Sequence, residues 1–344
     1  MNKMNKIYDP LHVGSRDVWT VEIETGVQLK ELDNYLKKHD PPLALASNVI
    51  VETVRFGGVL SLGCHGAGTQ SRTLPDLVET VKIVDASGQL NVFTKEVDPV
   101  EFSAATLNLG LLGIIYSYTL RVEPMYKLHM KNTFPLLSEY FSSPEISGPK
   151  LKALVESSDQ TEIFFLPFNT TGLDASDGRR LWVIQSQRTE ELPVTESSKQ
   201  RSLRKRIQRI CRVLGINIFR AMLALPSLTS SLSTLMYSSM LKETDEVLLA
   251  PDAIHYLSKI ARVKSVDMEF AFKVGENYEN VIKAWNFVIE QMYEHAQRGE
   301  FPFIMPPEMR FAKASKMIMS NVYDDDPEAI YCMMEVLSPK HTKG

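Results

Sequence analysis

Apolar positions along the chain recur at two periods, and the changes between them predict the elements. Trp19, Val21 and Ile23 alternate with Thr20, Glu22 and Glu24, which sets the three apolar side chains on one face of a strand. Thr25-Gly26 turns the chain. From Gln28 to Lys38 the spacing becomes helical, with Leu29, Leu32 and Leu36 on one stripe and Lys37 and Lys38 at the C-terminal end, where the helix dipole favours cations. Pro41-Pro42 stops that helix. Leu77 to Ala86 reads as a strand, Ser87-Gly88 as a turn and Gln89 to Thr94 as the returning strand. Pro99 to Leu107 is a helix with Asp98 as its N-cap and proline in its first turn. Ile114 to Val122, rich in β-branched and aromatic residues, is a strand that Pro124 closes.

The later chain continues in the same manner. Thr161 to Phe168 is an apolar strand that runs into Pro167. Val266, Met268, Phe270, Phe272 and Val274 alternate and predict a half-buried strand. Tyr278, Val281, Ile282, Trp285, Ile289 and Met292 recur at helical spacing, so a helix lies on that sheet and Gly299 ends it. Ala329 to Leu337 is the last strand.

One stretch fits neither period. Gly57 to Gly68 holds five glycines in twelve residues, with Cys64, His65 and no charge among them beyond what His65 can carry. Glycine permits positive φ and close approach to a bound group, and successive exposed N–H groups can cradle an anion. A glycine-rich turn without a ligand accounts for the composition equally well. Two dinucleotide motifs are excluded. Gly63 and Gly68 are followed by Thr69-Gln70 rather than Lys-Ser/Thr, and the order Gly-x-Gly-x-x-Gly opening an amphipathic helix is absent.

Composition narrows the class. A chain of 344 residues with 44% hydrophobic and 23% charged residues is globular and long enough for two domains. Its formal net charge of −4 argues against a nucleic-acid surface. Cys64, Cys211 and Cys332 are odd in number and far apart, which points to a reducing compartment rather than a disulfide framework. The residues after Met1 carry no apolar segment of a secretory signal.

The motifs taken together resemble a family. Val21 to Gly26, the Gly63-Cys64-His65-Gly66-Ala67-Gly68 segment, Ile83 to Gly88 and Asn108-Leu109-Gly110-Leu111-Leu112-Gly113-Ile114-Ile115 stand in the order and spacing of the second lobe of the FAD-binding domain of vanillyl-alcohol-oxidase-type flavoproteins. Within that superfamily the chain looks most like the FAD-linked sugar-lactone oxidases, those acting on L-gulonolactone and D-arabinono-1,4-lactone. The likeness runs from about Val18 to Ser338 and is weak between Thr189 and Leu249. It implies an α+β fold: residues 1–125 as the second lobe of the FAD-binding domain, then 126–344 as a substrate (cap) domain with an antiparallel sheet and flanking helices. It also implies FAD contacts at Gly57, Gly58, Gly63, Cys64, His65, Gly66, Gly68, Gly110, Gly113 and Ile114.

The chemistry is expected at Glu308-Met309-Arg310. Two residues apart on a strand, Glu308 and Arg310 share a face, and an ordinary ion pair accounts for them on the residues alone. The family has Glu-x-Arg at this position. By that resemblance Glu308 binds sugar hydroxyls and Arg310 stands near the flavin N1–C2=O edge, where a fixed cation stabilises developing negative charge. The implied reaction oxidises C2 of an aldono-1,4-lactone to an ascorbate-type product, with O2 or another acceptor reoxidising the flavin. A related alditol or carbohydrate oxidase, or a catalytically impaired remnant that binds a partner or membrane, is the alternative. His65 is expected to hold its loop rather than to catalyse, His255 to be structural, and no metal-ligand spacing is present.

The departures from the family are also informative. Its members begin with another lobe whose Gly-x-Gly-His-Ser-type loop grips the phosphates and in many cases bonds the flavin covalently. They end with a His-Trp-x-Lys segment. Nothing before Val18 or after Trp285 matches these, so both ends read as truncated and the FAD is expected to be non-covalent. Lys199 to Arg212 carries seven cations in fourteen positions, and Val213 to Leu241 is largely apolar with Arg220 and Pro226 interrupting it. Residues 199–241 therefore read as helices packed on the second domain or as a peripheral membrane contact, with a membrane span the weakest of the three readings because Arg220 and Pro226 interrupt it. By resemblance the protein is intracellular, at a mitochondrial or endomembrane surface where it is membrane-associated.

Overall fold

The computed structural model describes residues 5–14, 18–168, 179–192, 215, 217–240, 242–256 and 265–339. Two antiparallel sheets with helices against them account for most of these residues, as the α+β reading requires. They belong to two compact units, each with its own apolar core.

The first unit is built on β1 (Leu11–His12), β2 (Trp19–Glu24), β3 (Leu43–Ala44), β4 (Val78–Val84), β5 (Leu90–Thr94) and β6 (Ile114–Pro124). Their order is β1-β2-β6-β4-β5, with β3 also paired to β6. Val21 and Ile23 of β2 face the core, and so do Leu29, Leu32 and Leu36 of helix α1 (Leu29–Leu36). The Glu31 carboxylate accepts the Gln28 N–H at 2.8 Å and so satisfies one free donor of the helix start. Helix α3 (Pro99–Thr106) is capped as its sequence predicts, the Asp98 carboxylate accepting from the Glu101 N–H at 3.2 Å.

Helix α2 (Phe56–Ser61) departs from the sequence reading. The first half of the glycine-rich stretch is helical through Gly57 and Gly58. Burial of Phe56, Val59 and Leu60 in the core outweighs the low helix propensity of two glycines, about 1 kcal/mol each.

The unit is also discontinuous. A contiguous division at 125/126 misses residues 249–255 and 312–329, which pack with the first unit, while 129–248, 256–311 and 330 onward form the second. Polar anchors explain the two returns. Asp76 accepts from the Lys316 N–H at 2.8 Å and from the hydroxyls of Thr73 and Ser315 at 2.6 and 2.9 Å. His255, buried, sets Nε2 2.8 Å from the Asp33 carboxylate and Nδ1 3.0 Å from the Ile50 carbonyl. It is a structural histidine.

The second unit carries a seven-stranded sheet. Its strands are β7 (Lys127–Thr133), β8 (Gln160–Phe165), β9 (Leu181–Thr189), β10 (Thr244–Leu249), β11 (Ser265–Lys273), β12 (Glu308–Lys313) and β13 (Ile330–Pro339), in the order β10-β7-β9-β8-β12-β13-β11. Helices α4 (Pro144–Glu156), α5 (Thr229–Met240) and α6 (Glu279–Gln297) contribute to one core with one face of this sheet. Val281, Ile282, Trp285, Ile289 and Met292 of α6 all enter it, and Gly299 at φ +76° turns the chain away as expected. The alternation in β11 is present, but Val266, Met268 and Phe270 are exposed. β11 is an edge strand; of the alternating set only Phe272, near its end, and Val274, just past it, pack in the core.

Ile218, Phe219, Met222, Met236 and Tyr237 are buried in the same core, so the apolar part of 213–241 that can be described packs on the second unit. The basic run from Lys199 to Arg212 lies outside the described residues. No helix among the described residues is long and apolar enough to cross a membrane.

Burial disfavours the charge on His255, but the hydrogen bond and charge of Asp33, with the Ile50 carbonyl, outweigh it and raise the pKa above 6.5. Burial also pushes the Asp33 carboxyl up, against the pull of His255. Both groups therefore take up protons on folding. The contribution of His255 to stability is full below the ordinary histidine value and is lost as pH rises through the folded one; that of Asp33 is full only below the ordinary carboxylate value. His255→Phe should cost about 1–3 kcal/mol near pH 6, as expected for buried polar partners left unpaired. In urea titrations run from pH 6 to pH 9, the gap between parent and variant should narrow with increasing pH.

Candidate active site

Strand β12 explains how a charged pair comes to be buried. Met309 and Phe311 point into the core of the second unit, which sends Glu308 and Arg310 to the opposite face of the sheet. Register fixes their neighbours: Glu308 lies opposite Phe164, and Arg310 opposite Glu162, on the adjacent β8. On the next strand Trp182 lies opposite Phe164, and the two rings stack at 4.8 Å. Met130, Phe164 and Ile184 form a small apolar cluster with Trp182, Leu248 and Tyr256. The pair thus sits beside an apolar, aromatic floor.

Arg310 is the centre of this face. Its Nη2 donates to Glu308 and lies 3.4 Å from the Glu335 carboxylate, and its Nε is 4.0 Å from Glu162. Tyr256 donates its hydroxyl hydrogen to Glu162 at 2.7 Å. The side chains of Arg310, Glu308, Glu162 and Glu335 are only 11, 5, 9 and 16% exposed. These values remove the ordinary surface-pair reading. Burial works against the Arg310 charge, but Glu335, Glu162, Tyr256 and Glu269 hold its pKa above the usual arginine value. Burial, with Glu162 beside it, pushes the Tyr256 phenol well up, so it remains a neutral donor. Arg310 Nε is buried without a hydrogen-bond partner among the described residues.

Sequence reasoning found Glu308 and Arg310 and missed Glu162, Tyr256 and Glu335. The available signal was a lone carboxylate inside an otherwise apolar strand, Glu162 in Thr161–Phe165 and Glu335 in Ile330–Leu337. Burying such a charge without a partner is costly, so its presence implies a cation beside it.

The glycine-rich segment and the Leu109–Ile114 loop belong to the first unit and meet there, the Leu109 N–H donating to the Ser61 carbonyl at 3.2 Å. Their glycines serve two purposes. A Cβ on Gly66 would lie 2.4 Å from the Asn48 carbonyl oxygen, and one on Gly113, at φ +136°, would lie 2.3 Å from that of Val84. Gly57 and Gly63 are similarly packed against Thr25 and Leu107. Internal packing therefore accounts for these four. Gly58 and Gly110 face open space. Gly63 and Gly68 take positive φ, and Cys64 is half-buried. His65 is buried, its Nδ1 2.7 Å from the Gly66 carbonyl. Around Gly58 and Gly110 in the sequence, Leu62, Leu109, Leu111, Leu112 and Ile114 are exposed. Five exposed apolar side chains on two adjoining segments offer a surface to a flat ring.

Comparison with solved structures identifies the fold. Cholesterol oxidase from B. sterolicum superposes with a TM-score of 0.76 at 18% identity, covering 99% of this chain and 67% of that one. A solvent-stable cholesterol oxidase gives 0.74 at 16%, covering 98% and 67%. The architecture is the vanillyl-alcohol-oxidase-type fold. Among curated proteins, L-gulonolactone oxidase of Scyliorhinus torazame is 23% identical over 336 residues, 95% of this chain and 66% of that protein. L-gulono-1,4-lactone dehydrogenase of Mycobacterium tuberculosis is 22% identical over 306 residues, 89% and 63%. D-arabinono-1,4-lactone oxidase of Yarrowia lipolytica is 32% identical over 109 residues, 32% and 20%. The chain is similar to these sugar-lactone oxidases and dehydrogenases. It spans 66% or less of the length of these relatives, and no family model matches it.

Two stability outcomes follow from the geometry. Arg310→Met should destabilise the protein by about 3–5 kcal/mol, because buried carboxylates lose their only close cation among the described residues. A thermal melt that shifts by no more than a surface substitution would contradict this. Gly66→Ala and Gly113→Ala should each cost about 2 kcal/mol or more from backbone overlap, whereas Gly58→Ala, in a helix and with open space beside it, should gain about 0.5–1 kcal/mol.

Proposed function

We propose that the protein is an FAD-dependent oxidoreductase that oxidises the C2 hydroxyl of an aldono-1,4-lactone of the D-arabinono-1,4-lactone type, with O2 as acceptor. The observation that carries the reading is the buried Nε–H of Arg310, without a hydrogen-bond partner among the described residues, on the polar face of the second-unit sheet. A buried donor left unmade costs about 1–3 kcal/mol, so a ligand oxygen that accepts from it is stabilised by the whole of that deficit. The Glu-x-Arg spacing and the relatives named above supply the substrate class.

The first unit suits the cofactor. Gly58 and Gly110 leave room beside exposed Leu62, Leu109, Leu111, Leu112 and Ile114, and a planar apolar ring fits such a surface. Bound FAD would supply the two-electron acceptor. The protein's own part is binding and polarisation. Glu308 accepts from lactone hydroxyls. Arg310, fixed between carboxylates, supplies a preorganised positive charge where negative charge develops. The Phe164–Trp182 stack offers the apolar side against which a sugar ring packs. The 2-keto lactone released then tautomerises to the enediol. We expect the flavin to be held without a covalent bond; His65, with Nδ1 2.7 Å from the Gly66 carbonyl, is given a loop-holding role.

Arg310→Lys keeps the charge but loses the fixed fork. It should slow lactone-driven bleaching of flavin absorbance on the order of a hundredfold, the usual cost of one preorganised donor. Glu308→Gln should mainly weaken lactone binding. Gly58→Leu should leave the melting temperature near that of the parent while lowering flavin retention on a desalting column. Parent-like flavin reduction in both site variants would overturn the catalytic roles. Acid precipitation should release all yellow colour into the supernatant.

A further inference from the structure

The apolar floor beside the Glu308–Arg310 pair contains a polar relay that the reaction above does not use. Asn132, two residues along β7 from Met130 and so on the same face, is buried. Its carboxamide oxygen accepts from the Trp182 indole N–H at 2.8 Å, and its amide donates to the Thr244 hydroxyl of β10 at 2.7 Å. Burying a carboxamide is costly unless it is hydrogen-bonded, and apolar groups of the same shape in place of such a network are nearly neutral for stability. What the relay adds is orientation. The torsion that turns an aromatic ring is broad, and an N–H tied to a fixed acceptor selects one setting of it. Trp182 is thus held at its N–H by Asn132, on its ring by the Phe164 stack at 4.8 Å and 28°, and by Tyr256 edge-on at 6.0 Å.

The place of Trp182 in the sheet gives that orientation a use. Glu308, Phe164 and Trp182 stand in one cross-strand row of β12, β8 and β9. Phe164 is 4% exposed, whereas Trp182 is only partly buried, so the indole is the more accessible ring of the stack. Two strand spacings, roughly 10 Å, separate it from Glu308. We propose that Asn132 and Thr244 are positioning residues of the lactone site: they act through Trp182, fixing its indole as the wall against which a sugar ring, hydrogen-bonded at Glu308 and Arg310, packs its C–H side. The inference rests on the lactone reading above and deepens it. A wall touched alike by substrate and transition state contributes uniform binding, so its loss raises KM and leaves kcat unchanged. An aromatic contact of this kind changes affinity by about tenfold. The two ends of the row therefore separate in kinetics: Arg310 acts on the rate of flavin reduction, and the relay acts on binding.

The test uses the FAD-loaded full-length protein and D-arabinono-1,4-lactone, with steady-state turnover as one readout and tryptophan emission during lactone titration as the other. Asn132→Leu removes the acceptor at similar volume and should raise KM about tenfold with kcat within about twofold of the parent. Thr244→Val should raise KM by about threefold. Asn132→Asp keeps an acceptor for both the indole N–H and the Thr244 hydroxyl, and should bring KM back to within about threefold of the parent. Trp182→Phe removes the N–H that Asn132 holds, so adding Asn132→Leu to it should change KM by less than about twofold. Additive effects of the two substitutions, or a fall in kcat with parent-like KM, overturn the proposal, because a merely structural Asn132 destabilises in either background. Where Asn132→Leu fails to fold, the emission titration decides. Lactone should change the emission of the parent and not that of Trp182→Phe, and a response that survives in Trp182→Phe overturns the proposal. Turnover by Trp182→Phe at the KM of the parent overturns this proposal alone. An emission response that Trp182→Phe abolishes, without lactone-driven flavin bleaching, overturns the oxidase reading and leaves the wall standing. Neither response in the parent overturns both.

Discussion

A guanidinium cannot be buried alone, and much of the second unit is arranged around that constraint. The desolvation cost of one ion in a protein interior is several kcal/mol, recovered only by close counter-charges. Arg310 meets it with carboxylates drawn from three strands: Glu308 of its own, Glu162 of β8 and Glu335 of β13. The same requirement dictates the packing behind the sheet. Met309 and Phe311 must take the core face for Arg310 to take the other, and Ile163 and Phe165 must do so for Glu162. A one-residue slip of β12 would exchange the polar set for the apolar one and bury two charges among Trp285, Tyr278 and Phe311's neighbours. Core packing and site geometry are therefore a single register condition.

The alternation that sets this register was legible in the sequence. Period-two and helical spacings gave the strands at Trp19–Glu24, Ile114–Pro124 and Ser265–Lys273 and the helix through Trp285 close to where they lie. The Glu308–Arg310 pair was legible as a same-face pair. Its burial was not, because burial depends on which strands stand beside β12, and those come from residues about 145 and 25 positions away in the chain, a long-range pairing that local pattern does not encode. Glu162 and Glu335 were hidden for the same reason. Each looked like a single exception in an apolar strand until both were brought beside one arginine.

Two misreadings came from giving glycine and alternation too much local weight. Gly57 and Gly58 were read as loop because isolated glycines disfavour helix, but three buried apolar neighbours override propensity over so short a span. In β11 the alternation was real, but the expected burial holds only at Phe272 and Val274, since an edge strand extends beyond the core that covers its neighbours. The contiguous division of the chain failed on polar grounds. Asp76 and Asp33 each bind a segment that arrives from far along the sequence, and nothing in hydrophobic periodicity marks a carboxylate as the anchor for residues 315–316 or for His255.

The two units solve opposite problems with the same residue type. Asp76 and Asp33 are buried carboxylates whose oxygens are met by hydroxyl, amide and imidazole donors of the first unit, and their effect is to fix a discontinuous fold. Around Arg310 carboxylates from three strands converge on one guanidinium, and its Nε–H has no hydrogen-bond acceptor among the described residues. Selection for stability alone favours the first arrangement over the second, since replacing a buried ion cluster by apolar groups of similar volume is often neutral or stabilising. Strain of this electrostatic kind persists where a ligand relieves it. The unmet donor, more than the presence of charge, is what distinguishes the Arg310 face, the candidate site, from the Asp33–His255 pair, whose polar atoms are met.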